Sequence, residues 1–188
     1  MPHTYAVALR TRFRGITTRH GMVWQGSAGW AEWSPFLDYD GEEIVPWLRA
    51  ADEAAEQGWP TPLRHEIEVN ATVPAVGPDR AADLVRAAGC RTVKVKVAEP
   101  GQALSDDLNR VAAVRDVLGP DGRIRVDANG AWDADQATDA LERLAGYGLE
   151  YAEQPCRTVD ELAALRVALA RAGVEVPVAA DESIRRAD

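Results

Sequence analysis

The feature that most constrains the fold is a regular alternation of apolar, strand-like runs and helix-like segments from about residue 66 onward. Five short apolar runs predict strands; they lie at 67–73, 92–97, 123–128, 149–153 and 176–180. Four amphipathic segments predict helices between them; they lie at 78–88, 103–118, 133–145 and 160–172. Because strands alternate with helices, the sequence predicts a parallel sheet with right-handed crossovers.

The first 62 residues have a different pattern. Three short segments before residue 34 alternate apolar and polar residues and predict strands, and 41–58 predicts a helix. Pro60 and Pro62 then predict a linker, because proline cannot continue either kind of element. We therefore expect an α+β domain at 1–62 and a β/α domain at 63–188.

Composition narrows the classes of function. The chain has 21 Lys and Arg against 30 Asp and Glu, and this net charge of −9 argues against a nucleic-acid partner. It has no apolar run of the length that spans a membrane and no N-terminal signal-peptide core, so we expect a cytoplasmic protein. Cys90 and Cys156 lack the spacing of a metal site and are expected to be free thiols. The sequence carries no indication of oligomeric state.

Two closures of the sheet fit the alternation, an open doubly wound sheet and a (β/α)8 TIM barrel. A doubly wound sheet usually carries a glycine-rich phosphate turn after a strand, and no such motif is present. We therefore favour the barrel. A complete barrel takes about 250 residues, whereas 63–188 provides five strands. We accordingly expect an α/β protein with an incomplete barrel that stops after strand 5, as in an N-terminal fragment or a truncated gene model.

Two lysines occupy one face of the second predicted strand. Lys94 and Lys96 lie in T-V-K-V-K-V, where alternation places both ammonium groups opposite the valines. Charged groups on a buried strand are costly unless they are solvated or paired. An edge strand protected by lysines is the alternative, but the helices predicted on both sides favour a central strand.

Three acidic residues end the next three strands. Asp127, Glu153 and Asp181 are 26 and 28 residues apart, about one strand–helix unit each, so they should lie at the carboxyl ends of adjacent strands. Active sites of barrels lie at that end. A single Asp there is readily explained as a helix cap, but three carboxylates predict a cation site, of Mg²⁺ with Mn²⁺ as an alternative. A partly desolvated lysine beside this cation should have a lowered pKa and act as a base.

The motifs K-V-K-V, D-A-N-G-A-W, E-Q-P and A-D-E-S, in this order, resemble the enolase superfamily, in its branch with K-x-K on the second barrel strand. The resemblance implies that 1–62 is a capping domain. It implies that Lys96 is the acid/base, with Lys94 beside it tuning its pKa, and that the three acids bind Mg²⁺. It also implies that three residues support this shell, namely Asn129, Glu182 and, less directly, Gln154.

Five segments further resemble the o-succinylbenzoate synthase family of actinobacteria. They are F-R-G-I-T-T-R, G-W-A-E-W-S-P-F, V-N-A-T-V-P-A-V, E-Q-P-C and D-E-S-I-R-R-A. This resemblance implies a lyase of menaquinone biosynthesis that dehydrates a small carboxylate substrate. It also implies a loop at 15–19 over that substrate, with Arg19 facing it, although a solvated loop charge explains Arg19 as well. The family's further catalytic lysine, on the sixth strand, would lie beyond residue 188.

Other functions remain open at this level. An N-acylamino acid racemase, a dipeptide epimerase or a muconate-type cycloisomerase of the same branch would use the same lysines and acids. An inactive fragment or a binding scaffold is the alternative of another class.

Overall fold

The computed structural model describes residues 1–13, 15–37, 39 and 41–184. It divides into two compact units, Met1–Ile67 and Glu68–Asp188. The sequence placed the domain boundary between residues 62 and 63, and that boundary stays a prediction. Within the described ranges, every helix is too short or too polar to cross a bilayer.

The first unit is a three-stranded antiparallel sheet followed by a helix. Strands β1 (His3–Phe13), β2 (Ile16–Gln25) and β3 (Trp30–Trp33) pair in chain order. Helix α1 (Val45–Glu56) buries Ala51 and Ala55 with Ala31 of β3. The predicted α+β composition is therefore confirmed.

The helix predicted over 41–58 differs at its start, because Gly41–Ile44 forms a 3₁₀ turn before α1. Pro46 explains the difference. An α-helix that included residue 42 would need the N–H of residue 46 as a donor to its carbonyl, and proline has none.

The second unit contains the predicted alternation of parallel strands and helices. Its elements are β4 (Ala71–Val73), α2 (Pro78–Ala88), β5 (Thr92–Lys96), α3 (Leu104–Leu118), β6 (Arg123–Asp127), α4 (Ala134–Leu144), β7 (Leu149–Glu153), α5 (Val159–Ala172) and β8 (Val178–Ala179). Two 3₁₀ turns complete it, at Ala145–Tyr147 and Glu182–Ile184.

The sheet order decides between the two closures. Strands lie in the order β4-β5-β6-β7-β8, and each pair of neighbours is parallel. A doubly wound sheet reverses its order at a switch point, whereas a barrel winds in sequence. The fold is therefore α/β, with the first five strands of a TIM-like barrel after a small α+β unit. Because β5 lies between β4 and β6, the edge-strand explanation of its lysines is wrong.

Two outer strands are shorter than predicted. The run 67–73 forms a strand only at Ala71–Val73, and Ile67 and Val69 are 76% and 73% exposed. β4 pairs with β5 from Ala71 opposite Val93, and β5 begins one residue earlier, so residues before 70 have no strand beside them. The run 176–180 shortens at its carboxyl end for the same reason, because its pairing with β7 ends at Glu153 opposite Ala179.

The core of this unit is formed by the strand faces and the helices. Val93, Val95 and Val126 are at most 1% exposed, and they belong to one apolar cluster with Val111 of α3 and Leu141 of α4. The valine face of β5 is thus buried, as the alternation predicted, and the lysines lie on the other face.

Helix α4 begins directly after a capping residue, Asp133. The Asp133 carboxylate accepts a hydrogen bond from the Gln136 amide at 2.8 Å, and the Gln136 side chain accepts one from the Asp133 amide. This capping box satisfies two backbone donors that a helix leaves unpaired at its start.

Arg115 at the end of α3 connects the amino-terminal ends of β6 and β7. Its guanidinium donates to four carbonyls, of Gly119 and Gly122 at 2.7 Å, Tyr147 at 2.9 Å and Gly148 at 3.1 Å. Carbonyls of helix ends and turns need such donors when they are partly buried. Arg115 therefore stabilises the end of the unit opposite the carboxyl ends of the strands.

We expect Arg115→Met to lower the free energy of unfolding by about 3 kcal/mol, since hydrogen bonds to charged groups contribute about 1.5–3 kcal/mol each and part of this is screened. Urea denaturation measures the change. Arg143→Met is the matched control, because Arg143 is 56% exposed and its nearest carboxylate, that of Asp139, is 3.9 Å away. Equal stability changes in the two variants would contradict this role for Arg115.

Candidate active site

Three of the predicted site residues lie at one level of the sheet. Lys96 of β5 pairs with Asp127 of β6, and Asp127 pairs with Glu153 of β7. Residues in register on parallel strands project to the same face. Each of the three is the last residue of its strand, so the side chains meet at the carboxyl end of the sheet.

The lysines and acids of this level form a chain of ion pairs. Lys96 Nζ is 2.5 Å from Asp127 Oδ2, and Lys94 Nζ is 3.1 Å from the same oxygen. Lys94 also contacts Glu153 Oε1 at 3.0 Å. Asp127 is 1% exposed, and a carboxylate buried to this extent is tolerated because two ammonium groups face it.

These contacts shift pKa values in a defined direction. Burial by itself would raise the pKa of Asp127, but the bond from Lys96 and the two positive charges outweigh it, and the pKa is lowered. Burial by itself would lower the pKa of Lys94, but Glu153 and Asp127 outweigh it, and the pKa is raised. Two carboxylates thus stabilise the charged form of Lys94 in this arrangement, and a lowered lysine pKa beside a bound cation stays a prediction.

The third predicted ligand lies beyond this level. Glu153 pairs with Ala179, so Asp181 follows two residues later, outside β8. Its amide donates to Gln154 Oε1 at 2.6 Å, which holds it next to the end of β7. Within the described part of the chain, no three His, Cys, Asp or Glu residues are grouped so as to hold a metal ion. A site made by Asp127, Glu153 and Asp181 stays a prediction.

Asn129 connects the base candidate to the segment after β8. Its Oδ1 accepts a hydrogen bond from Lys96 at 2.7 Å, and its backbone amide donates to Asp127 Oδ1 at 3.0 Å. Its Nδ2 donates to Glu182 Oε1 at 2.7 Å. The structure thus brings Asn129 and Glu182 to the site, and their supporting role stays a prediction.

Gln154 is fully buried and has more contacts than its weak sequence signal suggested. Its Oε1 accepts from the amide of Asp181 and from the amide and hydroxyl of Ser183, at 2.6, 3.3 and 3.1 Å. Its Nε2 donates to the carbonyls of Cys156 and Arg157, at 2.8 and 3.3 Å. Gln154 therefore connects the segments that follow β7 and β8.

Backbone strain is concentrated at the same end of the sheet. Among the described residues, the non-glycine positions with positive φ are Ala98, Asn129 and Gln154, at 59°, 49° and 40°. They follow the ends of β5, β6 and β7 by one or two residues. Such conformations cost about 1–3 kcal/mol each and persist only where the surroundings enforce them. Their position supports a functional assignment of this end.

Arg19 belongs to the first unit. It lies in β2 opposite Val7, so the prediction of a loop at this position is wrong. The strand begins directly after the turn at Gly15, whose positive φ of 79° allows tight pairing. The Arg19 guanidinium lies 4.0 Å from the centre of the Phe36 ring and donates to the Ser34 hydroxyl at 3.2 Å and to the Ser34 carbonyl. A substrate-facing role stays a prediction.

Sequence reasoning missed two buried charged residues of α3. Arg110 and Asp107 are 1% and 3% exposed, and their side chains pair at 2.7 Å. Arg110 also donates to the Lys96 carbonyl at 2.9 Å. A signal was present, because residues 107, 110, 111 and 114 form the i, i+3, i+4, i+7 stripe that a helix buries.

The two cysteines are free thiols, as expected, and they differ in environment. Cys156 is fully buried, and burial together with the charges of Glu161 and Asp133 raises its pKa to about 11. Cys90 is partly exposed. The neutral thiol of Cys156 is favoured by the fold below about pH 9, and this stabilisation is lost as the pH rises through about 11.

We therefore expect a thiol-reactive chromophore at pH 8 to label Cys90 and to label Cys156 only after denaturation. Mass spectrometry of the labelled protein counts the modified sites. Cys90→Ser is the control and should show no labelling before denaturant is added. Rapid labelling of Cys156 in that folded variant would exclude the buried, neutral thiol.

Comparisons with known proteins agree with this fold. Residues 4–55 match the family described as Enolase N-terminal domain-like, and residues 78–188 match Enolase C-terminal domain-like. The o-succinylbenzoate synthase of Thermobifida fusca is 58% identical over 98% of the chain and 56% of its own length. That of Mycolicibacterium smegmatis is 51% identical over 99% of the chain and 56% of its own length. The chain thus spans about half the length of the curated relatives it matches.

Solved structures show the same fold at low sequence identity. A substrate-liganded L-Ala-D/L-Glu epimerase of Bacillus subtilis has a TM-score of 0.69 at 21% identity, over 98% of this chain and 67% of that one. An o-succinylbenzoate synthase of Thermosynechococcus elongatus, complexed with Mg in its active site, has a TM-score of 0.61 at 20% identity, over 98% and 68%.

Proposed function

The chain belongs to the enolase superfamily, and we propose that it acts as an o-succinylbenzoate synthase. This lyase would dehydrate 2-succinyl-6-hydroxy-2,4-cyclohexadiene-1-carboxylate to 2-succinylbenzoate, in the cytoplasm. Two relatives more than 50% identical to the chain bear that name. The observation that carries the proposal is the position of Lys96, whose ammonium contacts Asp127 and Asn129 at the carboxyl end of the sheet.

Lys96 is the proposed base for the proton alpha to the substrate carboxylate. To act as a base, Lys96 must be a neutral amine, with two N–H bonds and one lone pair on Nζ. Asp127 Oδ2 and Asn129 Oδ1 accept the two N–H bonds and orient the group, so that its lone pair would take the substrate proton. Lys94, held between Asp127 and Glu153, supplies a second positive charge near the carboxylate on which negative charge develops.

The donor set fits a divalent cation. The side chains of Asp127, Glu153 and Glu182 bond to the two lysines of β5 or to Asn129, and Asp181 is held next to the end of β7 by its backbone amide. The acids thus exceed the lysines, and carboxylate oxygens suit Mg²⁺, with Mn²⁺ as an alternative. We propose that Asp127, Glu153 and Asp181 bind it, with Glu182 nearby. When bound, the cation would stabilise negative charge on the substrate carboxylate.

The second half of the reaction needs little further machinery. After proton removal, the C–O bond to the ring hydroxyl breaks, the proton held by Lys96 converts the departing hydroxide to water, and the ring becomes aromatic. Because aromatisation favours elimination, accurate positioning of the substrate carboxylate and of Lys96 can supply most of the acceleration. The proposed substrate is accordingly a small carboxylate with an acidic alpha proton.

Two assays on the intact protein test the proposal. The first follows aromatisation of the cyclohexadiene substrate by ultraviolet absorbance in the presence of MgCl₂. The second follows deuterium incorporation into an N-acylamino acid in D₂O by proton NMR. We expect aromatisation without appreciable exchange. Exchange without aromatisation would assign the site to a racemase or epimerase, and the absence of both reactions would favour a binding scaffold.

A further inference from the structure

The Asp107–Arg110 pair is the most deeply buried ion pair described in the second unit, and neither residue has a role in the proposed reaction. The two side chains are 3% and 1% exposed and meet at 2.7 Å. Both come from the first half of α3, directly after the chain leaves β5. Their other polar atoms contact the backbone at the end of β5, the Val76 carbonyl after β4 and the Gln102 side chain.

The pair binds the main chain at Lys96 and just after it. Arg110 Nη1 donates to the Lys96 carbonyl at 2.9 Å, and Asp107 Oδ2 accepts from the Ala98 amide at 2.9 Å. β4 ends at Val73, opposite Val95, so at Lys96 only β6 continues beside the strand. The last bond to β6 is from the Val97 amide to the Asp127 carbonyl, at 3.0 Å. At the next residue, the Ala98 amide donates to the Asp107 carboxylate instead of to a neighbouring strand.

The same pair holds a strained backbone conformation. Ala98 has a φ of 59°, which an alanine adopts only at a cost. The bond from its amide to Asp107 compensates that cost locally. Arg110 Nε also donates to the Val76 carbonyl at 2.6 Å, and Nη2 donates to Gln102. The segments that follow β4 and β5 are thereby connected through one guanidinium.

Stability alone is a weak reason for such an arrangement. Taking two charges out of water is costly, and apolar side chains of similar volume often stabilise a core as well or better. What an apolar pair could not provide is a partner for the Lys96 carbonyl, the Val76 carbonyl and the Ala98 amide. Each of these groups belongs to the backbone at or near the proposed base.

We propose that the Asp107–Arg110 pair positions the Lys96 ammonium by fixing the backbone on the carboxyl side of its Cα. The pair touches neither substrate nor reacting atoms, so its members are positioning residues. The assignment of Lys96 as the affected base rests on the proposed function. The expected consequence is that loosening the pair displaces Nζ relative to Asp127 and Asn129, and a displacement of about 1 Å can lower a rate about 100-fold.

The test compares Arg110→Met with Arg115→Met in the intact protein. Both variants remove a guanidinium of α3 that binds several carbonyls, but Arg115 acts at the opposite end of the strands. We expect Arg110→Met to lower kcat for aromatisation about 10- to 100-fold with KM changed less than about 3-fold. Arg115→Met should lower stability and leave kcat and KM of the folded protein unchanged. Arg110→Lys, which retains a donor, should recover part of the kcat.

A second readout is independent of the reaction. Hydrogen exchange of the Ala98 amide can be measured by mass spectrometry or NMR. We expect it to be about 10-fold faster, or more, in Arg110→Met than in Arg115→Met. The reason is that opening of this backbone segment in Arg110→Met does not have to break the hydrogen bonds of the Arg110 guanidinium. If Arg110→Met does not fold, Arg110→Lys and Asp107→Asn serve for the same comparison.

The outcomes separate the two proposals. If wild type aromatises the substrate and Arg110→Met retains its kcat, the positioning role is overturned and the proposed function stands. If wild type aromatises nothing, the proposed function fails, and the exchange rate of Ala98 still tests whether the pair fixes this backbone. Equal exchange in the Arg110 and Arg115 variants would overturn the positioning role in either case.

Discussion

Replacing Lys96 with alanine is expected to lower kcat for dehydration by about 10²- to 10⁴-fold, the range that general acid–base groups contribute. The reason is that Lys96 Nζ is held between Asp127 and Asn129, at 2.5 and 2.7 Å, with one position left for the substrate proton. Steady-state ultraviolet assays measure the change. Primary deuterium isotope effects on the alpha position should show that proton removal has become limiting.

Lys96→Arg is the matched control for charge. Arginine keeps a positive charge beside Asp127, but it stays protonated at neutral pH and cannot accept the proton. We therefore expect Lys96→Arg to be as inactive as Lys96→Ala while losing less stability. An alanine variant that is folded and dehydrates the substrate at nearly the wild-type rate would refute the assignment of Lys96 as the base.

Asp127→Ala is expected to have the second large effect, on both metal binding and stability. Asp127 is the shared partner of Lys94 and Lys96 and a proposed ligand of Mg²⁺. Its removal should weaken Mg²⁺ binding at least about 10- to 100-fold, as measured by isothermal titration calorimetry. It should also lower the free energy of unfolding by about 3 kcal/mol, the low end for a broken buried pair, because the lysines are 23% and 19% exposed.

The control for Asp127→Ala is an acid of the same type outside the site. Asp133 caps α4 through the Gln136 amide and contacts neither lysine of β5 in the hydrogen bonds described. Asp133→Ala should cost about 1 kcal/mol, the usual effect of a lost cap, and leave Mg²⁺ binding unchanged. Unaltered Mg²⁺ binding in Asp127→Ala would remove Asp127 from the proposed metal site.

The sequence predicted which strands and helices form more accurately than it predicted the residues at which they begin and end. Helix α2 and strand β7 were predicted at their observed bounds. Glycine or proline lies close to each of these bounds in the sequence, at 77–78 and 89 for α2 and at 148 and 155 for β7, so the local sequence is sufficient to place them. β4 was overestimated, because the length of an outer strand depends on where its neighbour begins, and β5 begins at Thr92. For Arg19 it was the family resemblance that implied a loop, whereas its pairing with β1 makes it part of a strand.

By itself, the sequence determined the alternation of strands and helices, the shared face of Lys94 and Lys96, and the position of Asp127 and Glu153 at strand ends. These are periodicities and spacings along the chain, so local rules suffice to predict them. Only the tertiary structure decided the barrel-like strand order, the raised pKa of Lys94 and the backbone bonds of the Asp107–Arg110 pair. Lys94 and Glu153 are 59 residues apart, and which charges come within 3 Å of one another depends on how the strands pack.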